Sequence, residues 1–586
     1  MHPLSISSRR HGIPEVIAFC ALLGGLLGQP AAADTYWVGS GAGCTHATLD
    51  AALAAALANG PGSDFVRIAA PTVSLGSIVS VTDDWILIEG GYDFCTDPTP
   101  DSTSDITVSG AHDAFWVHGT NPSSLYLRSV RVLMGPSAGR VLKIEGQSEV
   151  HVDGSTLLDG QAPEGGNVWI SGANASIWVE RRTRIAWGNA TSGNGGGIYC
   201  DGGARVWLQD RAFVTENTAF LSGGGLYLDD CELQWSSHIA GNPTDVSEIA
   251  ENASLHGDGG GIAAVGGSYV AAFGSEPTMP AILNGNYAGD GGRGGAIYVA
   301  GSGTHGGLVN VHVSQNTANG EGGGLFIDSG AELEMELWPA TCSIGRGCSE
   351  LVENRSQSSA GGGAFVAAGG HAWIRRTSIH RNFTVTLSSG AALAAYGPGA
   401  LLVVEGNEIY DNDPNSFSGV ESPQIFAGNS ASLTVAFSTI VEATAAPGMA
   451  VFNNANAASL RLLSSVVQAP HTFTLPPPPA TQVHCVITRE TASLPPSAQA
   501  VVVVTNPALI FRLSTPEDYS IFRHSEAQDF CDTSQWDPWT SDIEGQDRGY
   551  DDPTFINILG PFDVGADEWR PEVFADGFEG GDLGGW

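Results

Sequence analysis

The stretch Val214-Thr-Glu-Asn217-Thr-Ala-Phe-Leu-Ser222-Gly223-Gly-Gly-Leu-Tyr227 decides how this chain is read. It has two halves. An apolar residue is followed three positions later by Asn, and a glycine run is followed by an aliphatic and then an aromatic residue. The first half recurs as Ile249/Asn252, Leu283/Asn286, Val313/Asn316, Leu351/Asn354, Ile379/Asn382 and Ile409/Asn412. The second recurs at 195–199, 259–262, 294–298, 322–326, 361–365 and, degraded, at 390–393. The aliphatic positions Ile198, Leu226, Ile262, Ile297, Leu325, Ala364 and Leu393 lie 28, 36, 35, 28, 39 and 29 residues apart. A base unit near 28 with insertions fits this spacing, and a period in this range signals a solenoid or array.

Each unit is too short to bury a face alone, so neighbours must stack. Helical repeats are excluded, because a glycine in a helix interior costs about 1 kcal/mol. Alternation in Arg205-Val-Trp-Leu-Gln209 and Glu332-Leu-Glu-Met-Glu-Leu337 reads as strand. One unit per coil puts equivalent residues on parallel strands about 4.8 Å apart. Asn then stacks on Asn at one corner, where its amide tolerates left-handed backbone angles and bonds up and down the ladder. A propeller blade needs about 40–50 residues and has its own signature, which is missing. The expected fold is all-β, a parallel β-helix.

A second pattern, apolar-x-apolar-x4-apolar, fits Leu125/Leu127/Val132, Val150/Val152/Leu157, Ala372/Ile374/Ile379, Leu402/Val404/Ile409, Leu433/Val435/Ile440 and Leu460/Leu462/Val467. Coils are therefore expected to begin before the glycine-rich block and to outlast it. The pairing of apolar-x-x-Asn with Gly-Gly-[Ala/Gly]-Ile/Leu resembles the repeats of chlamydial polymorphic outer-membrane proteins. More broadly it resembles the pectin-lyase-like right-handed β-helix superfamily, over roughly residues 123–470. The resemblance implies the fold. It implies no single activity, since such scaffolds host lyases, hydrolases, adhesins and passive surface proteins.

Composition sets the compartment and excludes some partners. The net charge is −38, with 24 Lys+Arg against 62 Asp+Glu, and Lys143 is the sole lysine. Nucleic acid and anionic membranes want basic patches, so neither is expected as a partner. Arg9 and Arg10, the apolar run 16–27 and Pro30-Ala-Ala-Ala33 read as a signal peptide cleaved before Asp34. No later apolar run is long enough for a membrane helix, and the end of the chain has no run of alternating membrane strands. Eight cysteines remain beyond Cys20. In an exported chain they imply disulfides, and proximity suggests Cys44–Cys95, Cys200–Cys231, Cys342–Cys348 and Cys485–Cys531.

The expected organisation is a signal peptide at 1–33, an N-terminal cap at 34–104, β-helix coils at 105–505, a C-terminal cap at 506–569 and a tail at 570–586. Thr48 is expected to cap a short helix over Leu49–Asn59, whose alanine-rich face would cover the open end of the solenoid. This opening resembles the N-terminal cap of secreted bacterial β-helix proteins. Asp563-Val-Gly-Ala-Asp-Glu-Trp569 resembles their closing motif, and 574–586 resembles a short tail on such exported proteins.

Candidate chemistry is sparse. Asp201, Asp229 and Asp328 follow the glycine motif at equal offset, and Asp230 sits beside Asp229. Asp201 and Asp229 fall in consecutive units, a spacing that suits a retaining glycosidase pair or a Ca²⁺ site. Asp is also a standard turn former, as in Asp201-Gly-Gly and Asp328-Ser-Gly, and that reading is favoured. Polygalacturonases carry Asn-Thr-Asp, Asp-Asp, Gly-His-Gly and Arg-Ile-Lys elements, of which only bare Asp-Asp pairs occur here. A lyase would need an arginine base, with Arg181, Arg182 or Arg211 on offer. Gly289-Asp-Gly-Gly-Arg-Gly294 matches Gly-x-Gly-x-x-Gly, but inside a repeat it is coil geometry. No histidine pair has metal-protease spacing. Trp169, Trp178, Trp187, Trp207 and Trp235 cluster in the early coils, where they would either stack sugar rings on a solenoid face or pack in the core or at corners. Three functions stay open: a secreted or surface-attached adhesin-like or glycan-contact protein without catalysis, a polysaccharide lyase or glycoside hydrolase, and a structural envelope protein. Polysaccharide or cell-surface components are the expected partners.

Overall fold

The computed structural model describes residues 33–137, 139–237, 246–274, 279–336, 349–357, 360–385, 390–412, 423–442, 450–455, 459–473, 481–511, 519, 521, 525–531, 542–543, 548 and 560–567. The expected signal sequence, the tail, Cys342 and Cys348 lie outside them.

The chain is an all-β, right-handed parallel β-helix. One coil shows the plan. Ile198–Asp201 lies in a 14-stranded sheet, Arg205–Leu208 and Phe213–Thr215 lie in two rows of a 30-stranded sheet, and Thr218–Ala219 lies in an 8-stranded sheet. The next coil repeats it with Leu226–Asp229, Glu232–Ser236, Ser247–Ala250 and Ala253–Ser254. All named strand pairs are parallel and in register. The seven aliphatic positions of the glycine motif fall on one line: Ile198 pairs with Leu226, Leu226 with Ile262, Ile262 with Ile297, Ile297 with Leu325, Leu325 with Ala364 and Ala364 with Leu393. The second pattern aligns likewise, with Leu125 beside Val150 and Val132 beside Leu157. Strand alternation sends these residues inward, where they form one continuous core.

Glycine earns its place at two points of each turn. Gly223 has φ +69°, a region a side chain rarely adopts. A Cβ on the following Gly224 would lie 2.4 Å from the Gly260 carbonyl of the next coil.

The asparagine ladder forms as the repeat predicts. Asn217, Asn252, Asn286, Asn316, Asn354, Asn382 and Asn412 are all buried. The Asn286 amide N–H and Nδ2 donate to Asn316 Oδ1 at 2.9 and 3.0 Å, and Asn316 Nδ2 donates to Asn354 Oδ1 and to the Leu283 carbonyl. One detail differs from the expectation. The left-handed backbone falls on the residue just before each Asn, at Glu216, Glu251, Gly285, Gln315, Glu353, Arg381 and Asp411, with φ between +49° and +64°. Its N–H is held by the next coil, as Glu216 N donates to the Ala250 carbonyl at 3.1 Å. That bond and the ladder together hold a conformation that a non-glycine residue otherwise avoids.

The helix spans Leu49–Ala58 and is capped by Thr48, whose hydroxyl accepts from Ala51 N. It buries Leu49, Ala52, Leu53 and Ala56 against the first strands, and the parallel ladder already begins at Thr35–Val38. At the other end, Gln499–Val503 is the last parallel strand of the stack among the described residues. Within the closing motif, Ala566 N donates to Thr439 Oγ1 and Gly565 N to the Ser464 carbonyl. Disulfides join Cys44–Cys95, Cys200–Cys231 and Cys485–Cys531, as the sequence suggests. Such bonds persist in oxidising compartments. Among the described residues, no helix is long and apolar enough to cross a membrane.

Asn316→Ala strands the buried Asn286 N–H and the Leu283 carbonyl, and is expected to cost about 3 kcal/mol. Guanidinium denaturation reads this as a lower midpoint. An unchanged midpoint would show that the ladder does not hold the coils together.

Candidate functional site

The aspartates singled out in the sequence lie on the 14-stranded sheet. Asp201 and Asp229 face each other in register, so those two are brought together. Asp328 pairs with Ala300, and Val265 stands next to Asp229, so the third aspartate is separated from the pair. Asp230 is exposed and left-handed, with φ 55°. Gly202 and Gly203 follow Asp201 at φ 67° and 83°, as a turn requires. Asp201 Oδ1 is nonetheless enclosed without a hydrogen-bond partner. Among the described residues, no group of three or more His, Cys, Asp or Glu side chains converges as ligands of a Ca²⁺ ion would. Gly289–Gly294 lies between the strands Tyr287–Ala288 and Ile297–Ala300, with no helix after it.

The tryptophans separate into different roles. Trp178 and Trp207 stack at 4.5 Å with planes 2° apart, and His151 stacks between Tyr126 and Trp178. Trp169 stacks on Tyr199 at 6.4 Å. Rings stacked along the axis spend their faces on one another and offer only edges to a sugar. Trp235 is in the core, 1 % exposed. Trp187 is the exception at 47 % exposure, on a left-handed residue with φ 56°.

Beside Trp187 lies a cleft that the sequence reading missed. Arg184, Phe213 and Glu248 pair across three coils, as do Ala186, Thr215 and Ala250. Ile185, Val214 and Ile249 point into the core, so the flanking residues point out. The cleft, about 340 Å³, is lined by Arg184, Phe213, Thr215, Glu216, Glu248, Ala250 and Glu251. Arg184 organises it. Its Nε donates to Thr215 Oγ1 at 2.9 Å, Nη2 lies 3.3 Å from Glu216 Oε1, and the guanidinium sits 5.5 Å from the Trp187 ring centre. Trp187 Nε1 donates to Glu216. Burial, then the charge of Glu251, pushes the Glu248 carboxyl above its ordinary range, against the pull of Arg184. The arrangement offers two aromatic rings, Trp187 and Phe213, one fixed guanidinium, a hydroxyl and three carboxyls, one of which keeps its proton to higher pH than a free Glu.

A signal for this site was present in the repeat. Val214-Thr-Glu216-Asn217 and Ile249-Ala-Glu251-Asn252 place Glu before the ladder Asn in consecutive coils. Read as a left-handed corner residue, each Glu must point away from the stack.

The candidate arginines do other work. Arg181 pairs with Asp153 at 2.5 Å, and Arg128 pairs with the same carboxylate at 3.0 Å, around a smaller cavity of about 100 Å³. The His151 imidazole in that cavity resists protonation through burial. Hydrogen bonds to Glu149 and Glu180 outweigh this and raise its pKa. Arg211 is buried and Arg182 is exposed.

No protein-family model matches the chain, and no curated protein matches it. Among solved structures, the A-module of the mannuronan C-5 epimerase AlgE6 from Azotobacter vinelandii is similar at 13% identity. That match covers 75% of this chain and 94% of the other, with a TM-score of 0.33. A likeness at this level says nothing about substrate.

The raised Glu248 pKa has a direct consequence. Above its ordinary value of 4.5 the unfolded chain loses this proton more readily than the folded one, so ionised Glu248 opposes folding at neutral pH. Glu248→Gln is expected to raise the melting temperature at pH 7, with the gap closing as the pH falls through the folded pKa toward 4.5. A gap independent of pH, or of opposite sign, would contradict the burial argument.

Proposed function

We propose that this chain is a secreted or cell-surface glycan-contact protein, adhesin-like in its use of a repeat scaffold, with the cleft beside Trp187 as its contact point. The observation that carries the reading is an exposed indole packed against Arg184 and bonded to Glu216, both of which line a polar cleft. Sugar rings offer an apolar face for an aromatic ring and hydroxyls for paired polar groups, and both recognition elements are in place. The net charge of −38 and three carboxyls against one guanidinium favour neutral over anionic polysaccharide. Disulfides and the sequence of the first 33 residues support export. The resemblance of the repeats to polymorphic outer-membrane proteins supports a surface role.

A second reading rests on Glu248. A carboxyl whose pKa is raised by burial, with further carboxyls beside it, is the arrangement used for general acid catalysis of glycoside cleavage.

One experiment separates the readings. The protein is presented with neutral and acidic polysaccharides, with and without Ca²⁺, while retention, reducing ends and ultraviolet absorbance of unsaturated products are followed. The expected result is retention on a neutral polymer without product, weakened about tenfold, ~1.4 kcal/mol, by Trp187→Ala. Product that disappears in Glu248→Gln would replace binding by hydrolysis. Product that disappears in Asp201→Ala or Asp229→Ala would move the chemistry to the other sheet. Neither retention nor product would leave the structural envelope role.

A further inference from the structure

Asp64 occupies a position made for an aliphatic side chain. In Ser63–Ile68 the alternation sends Asp64, Val66 and Ile68 inward, and Asp64 is 0 % exposed. Its Oδ1 accepts from Asn59 Nδ2 at 3.3 Å and from the Asp34 backbone nitrogen at 3.3 Å. Its Oδ2 is buried with no hydrogen-bond partner. The titratable groups whose charges reach this corner are Asp34, Asp84 and the Tyr36 phenol. Asp84 is engaged with the Gly62 and Trp85 N–H groups. No Lys, Arg or His among the described residues forms an ion pair with Asp64. A buried carboxylate without a cation is costly, and nearby acids make it more so. Burial therefore raises the Asp64 pKa. Hydrogen bonds from Asp34 and Asn59 oppose this, and the charges of Asp84 and Asp34 add to it.

The missing cation lies in the sequence. Pro30-Ala-Ala-Ala33 immediately precedes Asp34 and reads as the recognition site of a signal peptidase. We propose that cleavage between Ala33 and Asp34 frees an α-ammonium that pairs with Asp64, so that removal of the leader gives the buried carboxylate an ion-pair partner and locks the first coil. In that step water adds across the Ala33–Asp34 peptide bond, with a peptidase as catalyst. The Ala33 carbonyl becomes a carboxylate on the released leader, and the Asp34 nitrogen takes up protons as an ammonium. The nitrogen that gains charge is the atom already placed against Asp64 Oδ1 at 3.3 Å. Asp34 needs no movement to do this, because the Phe65 N–H holds its carbonyl at 2.9 Å and Thr35 pairs with Phe65. This inference concerns maturation and is independent of the glycan reading.

The pairing raises the α-amine pKa. Its stabilisation is full below the ordinary amine value of about 7.7–8.0 and is lost as the pH rises through the folded value. It is lost again at acid pH, where Asp64 takes its own proton.

The test starts with the full chain, expressed with its own leader in an export-competent Gram-negative host. Mass spectrometry of the exported protein is expected to find Asp34 first, and a different first residue overturns the proposal. The processed protein is then compared at pH 7 with a form carrying one glycine before Asp34, and each is compared with its Asp64→Asn variant. The glycine form is expected to melt several degrees lower, with no such difference in the Asp64→Asn background. A kinetic readout covers the case where Asp64→Asn does not fold. Acylation of the Asp34 amine is expected to run about tenfold slower than that of the added glycine, as a pKa raised by about one unit requires. Equal melting temperatures, or equal acylation rates, overturn the pairing.

Discussion

The molecule depends on a single corner, where the amide of one coil is held by the asparagine of the next. From Asn217 to Asn412, each buried Asn both donates and accepts between coils, and its Nδ2 also reaches back to the preceding coil. The bonds satisfy the ladder in its interior, where an unpaired amide would be costly. They also fix register. A slip of one residue would turn every side chain to the opposite face and empty the corner of its amide. The aliphatic line in the core and the glycine turns follow from that alignment.

In-register stacking has an electrostatic price for an acidic chain, because a residue repeated in sequence is repeated in space. The left-handed row before the ladder shows how this is managed. Glu216 is neutralised by Arg184, and Arg381 stands between Glu353 and Asp411 at 3.8 and 3.6 Å. Lys143, the sole lysine, is spent in a similar way. It lies between the Trp116 and Trp169 rings at 4.8 and 5.3 Å and pairs with Glu145. Exposed pairs of this kind stabilise weakly. Their effect is to keep like charges from facing one another at coil spacing. Within a single coil, burial first and then the charge of Glu251 raise the Glu248 pKa.

Much of the fold was legible in the sequence. Glycine runs, ladder asparagines and the aliphatic positions carry local meaning, and the stack repeats each one often enough to be counted. The cap helix was legible from Thr48 and the alanine face, and three disulfides from proximity. The cleft was not. Its residues occupy the variable positions of the repeat, and their meaning comes from lateral alignment: Arg184 beside Phe213 beside Glu248 is a relation between coils that no single unit displays. Trp187 looked like its neighbours in sequence. It differs because the left-handed corner turns it outward, whereas Trp178 and Trp207 lie in a strand and find each other. The pairing of Asp201 with Asp229 could be read from equal offsets, but the separation of Asp328 needed the register of the intervening coils.

The uneven unit lengths of 28 to 39 residues acquire a simple meaning in three dimensions. Coils longer than the base unit carry their extra residues at one corner, between Glu232–Ser236 and Ser247–Ala250, Tyr269–Phe273 and Ala281–Asn284, and Glu332–Glu336 and Glu350–Val352. The other corners keep their lengths because the asparagine ladder and the glycine turns occupy them. The solenoid thus separates a conserved-length spine from one free margin. Length can therefore vary between these strands, while the array itself can grow or shrink only by whole coils.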